Sequence, residues 1–214
     1  MAKHYDNNAA GWNRKTERLG LLEAYRGLVH SALKRAQYVM PQKELDVLDA
    51  GIGTGAMSKA LGHVLGRRFN LEGIDISANM LIEAKRYLCM EDINLSLSQS
   101  EVCALPFSEN SFDIVLIGHV VEHLGCPELA FKEAYRVLRP GGIIVGCVTR
   151  QSVAAAYVQY IWHTHQVSMK QAQQWLKQSG FGSVKPIPLS KRSSMRKFSI
   201  GYVGRKPECA SAMH

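Results

Sequence analysis

The chain has no apolar run longer than a strand needs, no C-x-x-C pair, and no tract rich in Ser, Gly or Pro. Each absence closes off a class. A membrane-spanning helix needs about 20 apolar residues in a row, so none is predicted. The five cysteines, Cys89, Cys103, Cys126, Cys147 and Cys209, are scattered and odd in number. That pattern argues against a disulfide framework or a zinc site and for a reducing cytosol. The opening stretch MAKHYDNNAAGWNRK lacks the apolar core of a secretory signal, so a cytoplasmic location is the expectation. No repeat, low-complexity run or linker interrupts the 214 residues, 46% of them apolar, which suits one domain with a substantial core.

Charge is present but unevenly placed. Residues 1–45 carry +4, residues 46–150 carry −4, and residues 151–214 carry +8. The middle reads as an ordinary acidic domain body, and the basic excess falls in the last quarter.

Periodicity predicts strands alternating with helices. Leu21, Leu22, Tyr25, Leu28, Val29 and Leu33 recur at helical spacing within 19–39, with Pro41 helping to stop the helix. Strands are predicted at 45–50, 71–75, 95–97, 113–118 and 143–148. The helices between them are 56–65, a segment capped by Ser77 and running to about 87, and one from Pro127 to Pro140-Gly141-Gly142. Residues 152–162 read as helical. Ser168 and Gln171 form a capping box for a helix that stops at Gly180, and 183–189 and 198–203 read as two closing strands. This alternation implies a mostly parallel sheet covered on both faces, with ligands at the carboxyl ends of its strands.

One such end carries VLDAGIGTG, residues 47–55. A turn with Gly51, Gly53 and Gly55 lets a ligand approach bare backbone. It is no P-loop, because no Lys-Ser or Lys-Thr follows Gly55. Gly51, Gly53 and Ala56 do fit the loose dinucleotide form G-x-G-x-x-G/A, and Asp75 lies twenty residues beyond Gly55, where a carboxylate can take ribose hydroxyls. Asp49 separates the readings. A carboxylate beside a pyrophosphate would repel it, whereas it suits a ligand with an ammonium group and a positive sulfur, such as S-adenosyl-L-methionine (SAM).

The segments VLDAGIGTG, GIDISANM (73–80), EVCALPF (101–107), SFDIVLIGHVVEHL (111–124) and EAYRVLRPGG (133–142) follow one another in order. Residues 45–145 thereby resemble the class I SAM-dependent methyltransferase family. The resemblance implies a Rossmann-like α/β fold: a seven-stranded, mostly parallel, doubly wound sheet with its last strand antiparallel. It implies one domain over 1–214, with a helical lid at 1–40, a cofactor-binding core at 41–150, and a substrate-side segment with the closing strands at 151–214. The implied cofactor residues are Asp49, Gly51, Gly53 and Gly55 at the methionine part, Asp75 at the ribose, and Ile76 and Met80 near the adenine. Glu101 and Val102 would sit at the adenine edge, though the family's acid here is more often Asp, and Gly118 and His119 would lie beside the sulfonium. Tyr5 and Trp12 would belong to the lid.

Each of these residues also has a plainer reading. Asp49 could cap the next helix, and Leu105-Pro106-Phe107, Arg136 and Pro140-Gly141-Gly142 read as architecture. His119 could be a general base, a donor that orients the nucleophile, or a packing residue; His123 is usually structural in the family. Tyr157, Tyr160, Trp162 and His163 would wall the substrate pocket or simply form helix core. His163-Thr164-His165 has no acid or cysteine cluster near it in the sequence, so no metal is expected.

The implied function is methyl transfer from SAM to a small molecule. The same cradle could serve a SAM-consuming enzyme that releases methylthioadenosine by cyclisation or aminocarboxypropyl transfer, or a SAM-binding module without chemistry. The basic stretch KRSSMRK (191–197) would lie on the active-site side, as an attraction for an anionic or amphiphilic substrate or as a solvated loop. Nucleic acid is disfavoured, since no aromatics interleave the basic residues. The amphipathic 19–39 segment suits an anionic membrane surface or, equally, a packed core helix.

Overall fold

The computed structural model describes residues 20–150, 167–190 and 193–208. Its elements run α1 (Leu21–Arg35), β1 (Asp46–Ala50), α2 (Ala56–Leu65), β2 (Phe69–Asp75), α3 (Ala78–Leu88), β3 (Ile93–Gln99), β4 (Phe112–Gly118), α4 (Pro127–Val137), β5 (Leu138–Thr149), α5 (Met169–Gln178), β6 (Gly182–Pro188) and β7 (Ser199–Arg205). Short 3-10 turns occupy Val121–His123 and Ser194–Lys197.

The strands form one seven-stranded sheet in the order β3-β2-β1-β4-β5-β7-β6. β1 through β5 pair in parallel, and β7 runs antiparallel to both β5 and β6. This is the predicted Rossmann-like methyltransferase arrangement. The strand order reverses between β1 and β4, which run parallel, and this opens a crevice at their carboxyl ends.

Two apolar layers cover the sheet. On one face Val47, Ile114, Leu116 and Val145 pack under α1, α2 and α3; on the other Leu48, Val115, Ile117 and Ile144 pack under α4 and α5. Phe131 lies fully buried between Trp175 and Tyr202. In α1 the apolar stripe Leu21, Ala24, Tyr25, Leu28, Val29 and Ala32 is buried, so this helix is part of the core. Its closest packing is against α2. The lid reading therefore rests on Tyr5 and Trp12, which lie outside the described residues.

Two boundaries differ from expectation for local reasons. α1 ends at Arg35, well short of Pro41. Gln37 takes a left-handed φ of 49°, and the N–H groups of Ala36, Gln37 and Tyr38 donate to Ala32, Lys34 and Leu33. The last carbonyls are thus satisfied before proline intervenes. β5 begins at Leu138 and runs through Pro140-Gly141-Gly142 rather than starting after it. The register against β4 shifts there, from Phe112 opposite Leu138 to Ile114 opposite Ile143. Gly141 has φ +79°, and a Cβ on Gly142 would sit 2.9 Å from the Arg139 carbonyl. The motif is a bulge inside a strand, not a break between elements.

Candidate functional site

The crevice is floored by the turn after β1. The N–H groups of Gly51 and Ile52 both donate to the Ile74 carbonyl at 2.9 Å, drawing the turn against β2. The three glycines serve different ends. A Cβ on Gly51 (φ +84°) would collide with Val120, and one on Gly55 (φ +86°) would lie 2.9 Å from Leu88. At Gly53 (φ +53°) nothing lies within 4 Å of an added Cβ. Two glycines are therefore fixed by packing, and the third faces open space where a ligand can meet the backbone.

Asp75 closes one side of that space. Its carboxylate accepts from the Gly53 N–H at 2.9 Å and from the Ser77 N–H at 2.9 Å. It ties the glycine turn to the start of α3, where the Ser77 hydroxyl caps the helix at Met80. Ile76 is half-buried and Met80 is buried at the same end of β2. Val102 is buried and Glu101 exposed in the turn after β3. The Ser100 N–H donates to the Asp75 carbonyl and the Gln99 side chain to the Ile76 carbonyl, bringing the β2 and β3 ends together.

Asp49 lies beneath the turn, 1% exposed. It accepts from the Ser58 hydroxyl of α2 at 2.6 Å. Burial pushes its pKa up to about 7; the Asp75 charge adds to this and the Ser58 hydrogen bond opposes it. An uncompensated carboxylate is costly there, and a cationic ligand group would relieve it. Tyr25 of α1 lies nearby. Its hydroxyl would be 3.4 Å from a Cβ on Gly118, with the Met57 sulfur at 3.0 Å. Burial, with the Cys147 sulfur and Asp49 beside it, raises the Tyr25 pKa and keeps the phenol neutral.

The β4 end carries the most constrained group. His119 has φ +56°, which side-chain-bearing residues seldom adopt. Its backbone N–H donates to the Cys147 carbonyl at 3.0 Å. Its ring Nδ1 lies 3.2 Å from Glu122 Oε1 and its Nε2 lies 3.1 Å from the Ser199 hydroxyl of β7. Glu122 Oε1 also accepts from the Thr149 N–H at 2.7 Å and the Thr149 hydroxyl at 3.0 Å. Burial works against a charged ring, but the Cys147 sulfur and the Glu122 carboxylate outweigh it and hold the His119 pKa well above the ordinary histidine value. Burial likewise opposes ionised Glu122, and the His119 ring overcomes it and lowers the carboxyl pKa.

The structure thus gathers Asp49, Gly51, Gly53, Gly55, Asp75, Ile76, Met80, Glu101, Val102, Gly118 and His119 around the carboxyl ends of β1 to β4. Tyr5, Trp12, Tyr157, Tyr160, Trp162 and His163 lie outside the described residues. The sequence reading missed Ser58, Tyr25, Glu122, Thr149 and Ser199. Glu122 had a signal, three residues after His119 in GHVVEH; Tyr25 and Ser199 had none, because only the topology brings them in.

Lys191 and Arg192 of the basic stretch lie outside the described residues, and its remainder leads into β7 at this same edge. Ser199 pairs with Thr149, and the Arg150 N–H donates to the Phe198 carbonyl at 2.6 Å. The Ser193 hydroxyl donates to the Gly20 carbonyl at the start of α1. Arg136 is architectural. It holds Glu133 and donates to the carbonyls of Leu105 and Phe107. Among the described residues no cluster of three His, Cys, Asp or Glu suits a metal, and no helix is long and apolar enough to cross a membrane.

Residues 48–146 match the family described as a methyltransferase domain. The chain is 33% identical over 150 residues to a demethylmenaquinone methyltransferase of Staphylococcus epidermidis, covering 65% of this chain and 62% of that protein. A demethylmenaquinone methyltransferase of Staphylococcus aureus gives the same figures. The chain thus spans less than two thirds of the length of these curated relatives. In fold it is similar to a chain from the complex between the Haloferax volcanii Trm112 methyltransferase activator and a methyltransferase. That likeness has a TM-score of 0.71 at 18% identity, over 97% of this chain and 98% of that one. It is also similar to Haemonchus contortus phosphoethanolamine N-methyltransferase 2 in complex with SAM, with a TM-score of 0.67 at 17% identity, over 84% of this chain and 52% of that one. Five motifs in order, the 3-2-1-4-5-7-6 sheet and the methyltransferase-domain match over residues 48–146 identify that segment as a class I SAM-dependent methyltransferase domain.

Proposed function

We propose that this chain binds SAM in the β1–β2–β4 crevice and transfers its methyl group to a small, anionic or amphiphilic molecule. The observation that carries the reading is the division of labour among the three glycines, which leaves only Gly53 facing open space, between Asp75 and the buried Asp49.

The residues present fit the cofactor. Asp75 would take the ribose hydroxyls, with Ile76, Met80, Glu101 and Val102 about the adenine. Asp49 would answer the ammonium group, and Gly118 would leave room beside the sulfur. When bound, SAM supplies an electrophilic methyl group on a positive sulfur. The chain's own task is then to orient the acceptor and exclude water, since orientation and desolvation carry most of such an acceleration. His119 borders the acceptor side and is 24% exposed. Arg150 and the basic Arg196 and Lys197 at the same edge support an acceptor with negative charge. The relatives named for demethylmenaquinone support a small-molecule acceptor.

Calorimetry with SAM and S-adenosylhomocysteine, beside the Asp75→Ala variant, tests the site. Binding that is lost in the variant supports it; equal binding by the variant, or none by the native chain, refutes it. Mass spectrometry of the products tests the reaction. S-adenosylhomocysteine is expected, and methylthioadenosine would show that the other arm of SAM is used.

A further inference from the structure

Glu122 is an expensive residue if its only task is to hold a loop. It is 2% exposed, and Oε1 takes all its partners: His119 Nδ1, the Thr149 N–H and the Thr149 hydroxyl. Oε2 is buried with no hydrogen-bond partner. A neutral glutamine could tie down Thr149 without burying a charge, so the carboxylate answers to something else. A half-satisfied buried acid calls for a role beyond packing.

That something is the imidazole ring. His119 is held by groups from three elements. Glu122 comes from the turn after β4, Cys147 and Thr149 from β5, and Ser199 from β7; beyond the Cys147 sulfur stands the neutral phenol of Tyr25 from α1. Among these Glu122 is the one carboxylic acid, and the Cys147 sulfur also favours the charged ring. With a proton on each nitrogen, the ring donates from Nδ1 to Glu122 and from Nε2 to Ser199, and so has no lone pair with which to act as a base. The left-handed backbone at His119 holds this ring beside Gly118, where strain is tolerated because position matters.

We propose that Glu122 is a positioning residue that keeps His119 as a charged hydrogen-bond donor to the methyl acceptor, and that the acceptor therefore carries an ionised oxygen, as a phenolate or enolate does. This rests on the methyl-transfer reading above. Nε2–H turns from Ser199 to the acceptor oxygen and orients it. The acceptor's electron pair forms the new bond to the methyl carbon, and the S–C bond breaks with its pair left on sulfur. The acceptor's negative charge is consumed in the transfer. The acceptor anion needs no base for the transfer, which is why the site can place a donor where a base would otherwise stand.

The test uses the full chain saturated with S-adenosylhomocysteine. The ring of His119 is titrated by carbon-13 NMR in the native protein and in Glu122→Gln, and the binding of a series of naphthols graded in acidity is measured. His119 should stay protonated to higher pH than an ordinary histidine in the native protein, and its titration should shift downward in the variant. Ionised naphtholates should bind in preference to their neutral forms, and Glu122→Gln should weaken them by about ten- to hundredfold, the worth of a charge-assisted hydrogen bond. If Glu122→Gln does not fold, His119→Gln keeps a neutral donor beside native Glu122 and should abolish the preference for the anion. The proposal is overturned if native His119 titrates at the ordinary value, if no naphthol binds, or if the preference survives in His119→Gln. The first two outcomes are read on the native chain, so its S-adenosylhomocysteine affinity, measured alongside, separates failure here from failure of the methyltransferase reading.

Discussion

Asp49 should make cofactor binding release a proton. Without a ligand its pKa stands at about 7, because burial and the neighbouring Asp75 outweigh the hydrogen bonding of Ser58. An ammonium group beside it favours the ionised form, so the bound state holds Asp49 charged. Affinity for S-adenosylhomocysteine should then fall by about tenfold for each pH unit below 7, where the free site is protonated first. Calorimetry in two buffers of different ionisation enthalpy would count the released proton directly. The same shift bears on stability. A carboxyl raised from 3.8 to about 7 favours the folded state below the lower value, and that advantage is lost as pH rises through 7. At 1.36 kcal/mol per unit the loss reaches about 4 kcal/mol. Asp49→Asn keeps an acceptor for Ser58 and carries no charge. Above pH 7 the variant without ligand should therefore be more stable than the native chain by up to about that amount, while failing to bind the cofactor. Affinity independent of pH below 7, or an Asp49→Asn variant whose stability follows the native pH profile, would refute the reasoning.

Ser58→Ala removes the hydrogen bond that opposes the Asp49 shift, so the midpoint of pH-dependent cofactor binding should move upward; an unmoved midpoint in the same calorimetry would count against that link. Gly51→Ala forces a Cβ onto Val120 at positive φ and should destabilise by about 2–4 kcal/mol in thermal melts. Gly53→Ala meets no atom of the described residues and should cost only about 1 kcal/mol, from backbone strain, yet weaken SAM binding because the Cβ enters the ligand's space. Arg136→Ala strips bonds from Glu133 and from the Leu105 and Phe107 carbonyls. It should lower stability by about 1–2 kcal/mol, allowing for its partial exposure, with SAM affinity unchanged.

The legible parts of this fold are those in which local chemistry and tertiary need coincide. The apolar run of β4 is buried along its whole length because both sheet faces are covered, and a sequence shows that as an unbroken run. Ser77 and Ser168 cap α3 and α5 as their side chains predict. The boundaries misread at Arg35 and Leu138 turn on backbone choices at Gln37 and Gly141, which neither periodicity nor propensity encodes. In the candidate site, the places of Asp49 and Asp75 were legible because each stands at the end of a strand run just before a turn. The partners Ser58 and Ser199 were not, because a serine carries no mark of the acid or imidazole it will face. Tyr25 was read as one apolar position of a helix; its hydroxyl acquires meaning only once α1 is laid beside β4 and β5.

Three acids at one edge of the sheet stand in three environments, and the difference sorts the charges of the reaction. Asp75 is held by the backbone N–H groups of Gly53 and Ser77. Asp49 is buried with one hydroxyl, so its ionised form awaits a cation. Glu122 is buried against an imidazole, so its charge is already answered and passes a positive charge on to His119. A positive ligand is thus favoured on the β1 side of Gly118 and a negative one on the β5 side. Methyl transfer between a sulfonium and an anion cancels both charges. The methylated acceptor would then lose its attraction to His119, whereas the ammonium group that faces Asp49 is retained on S-adenosylhomocysteine.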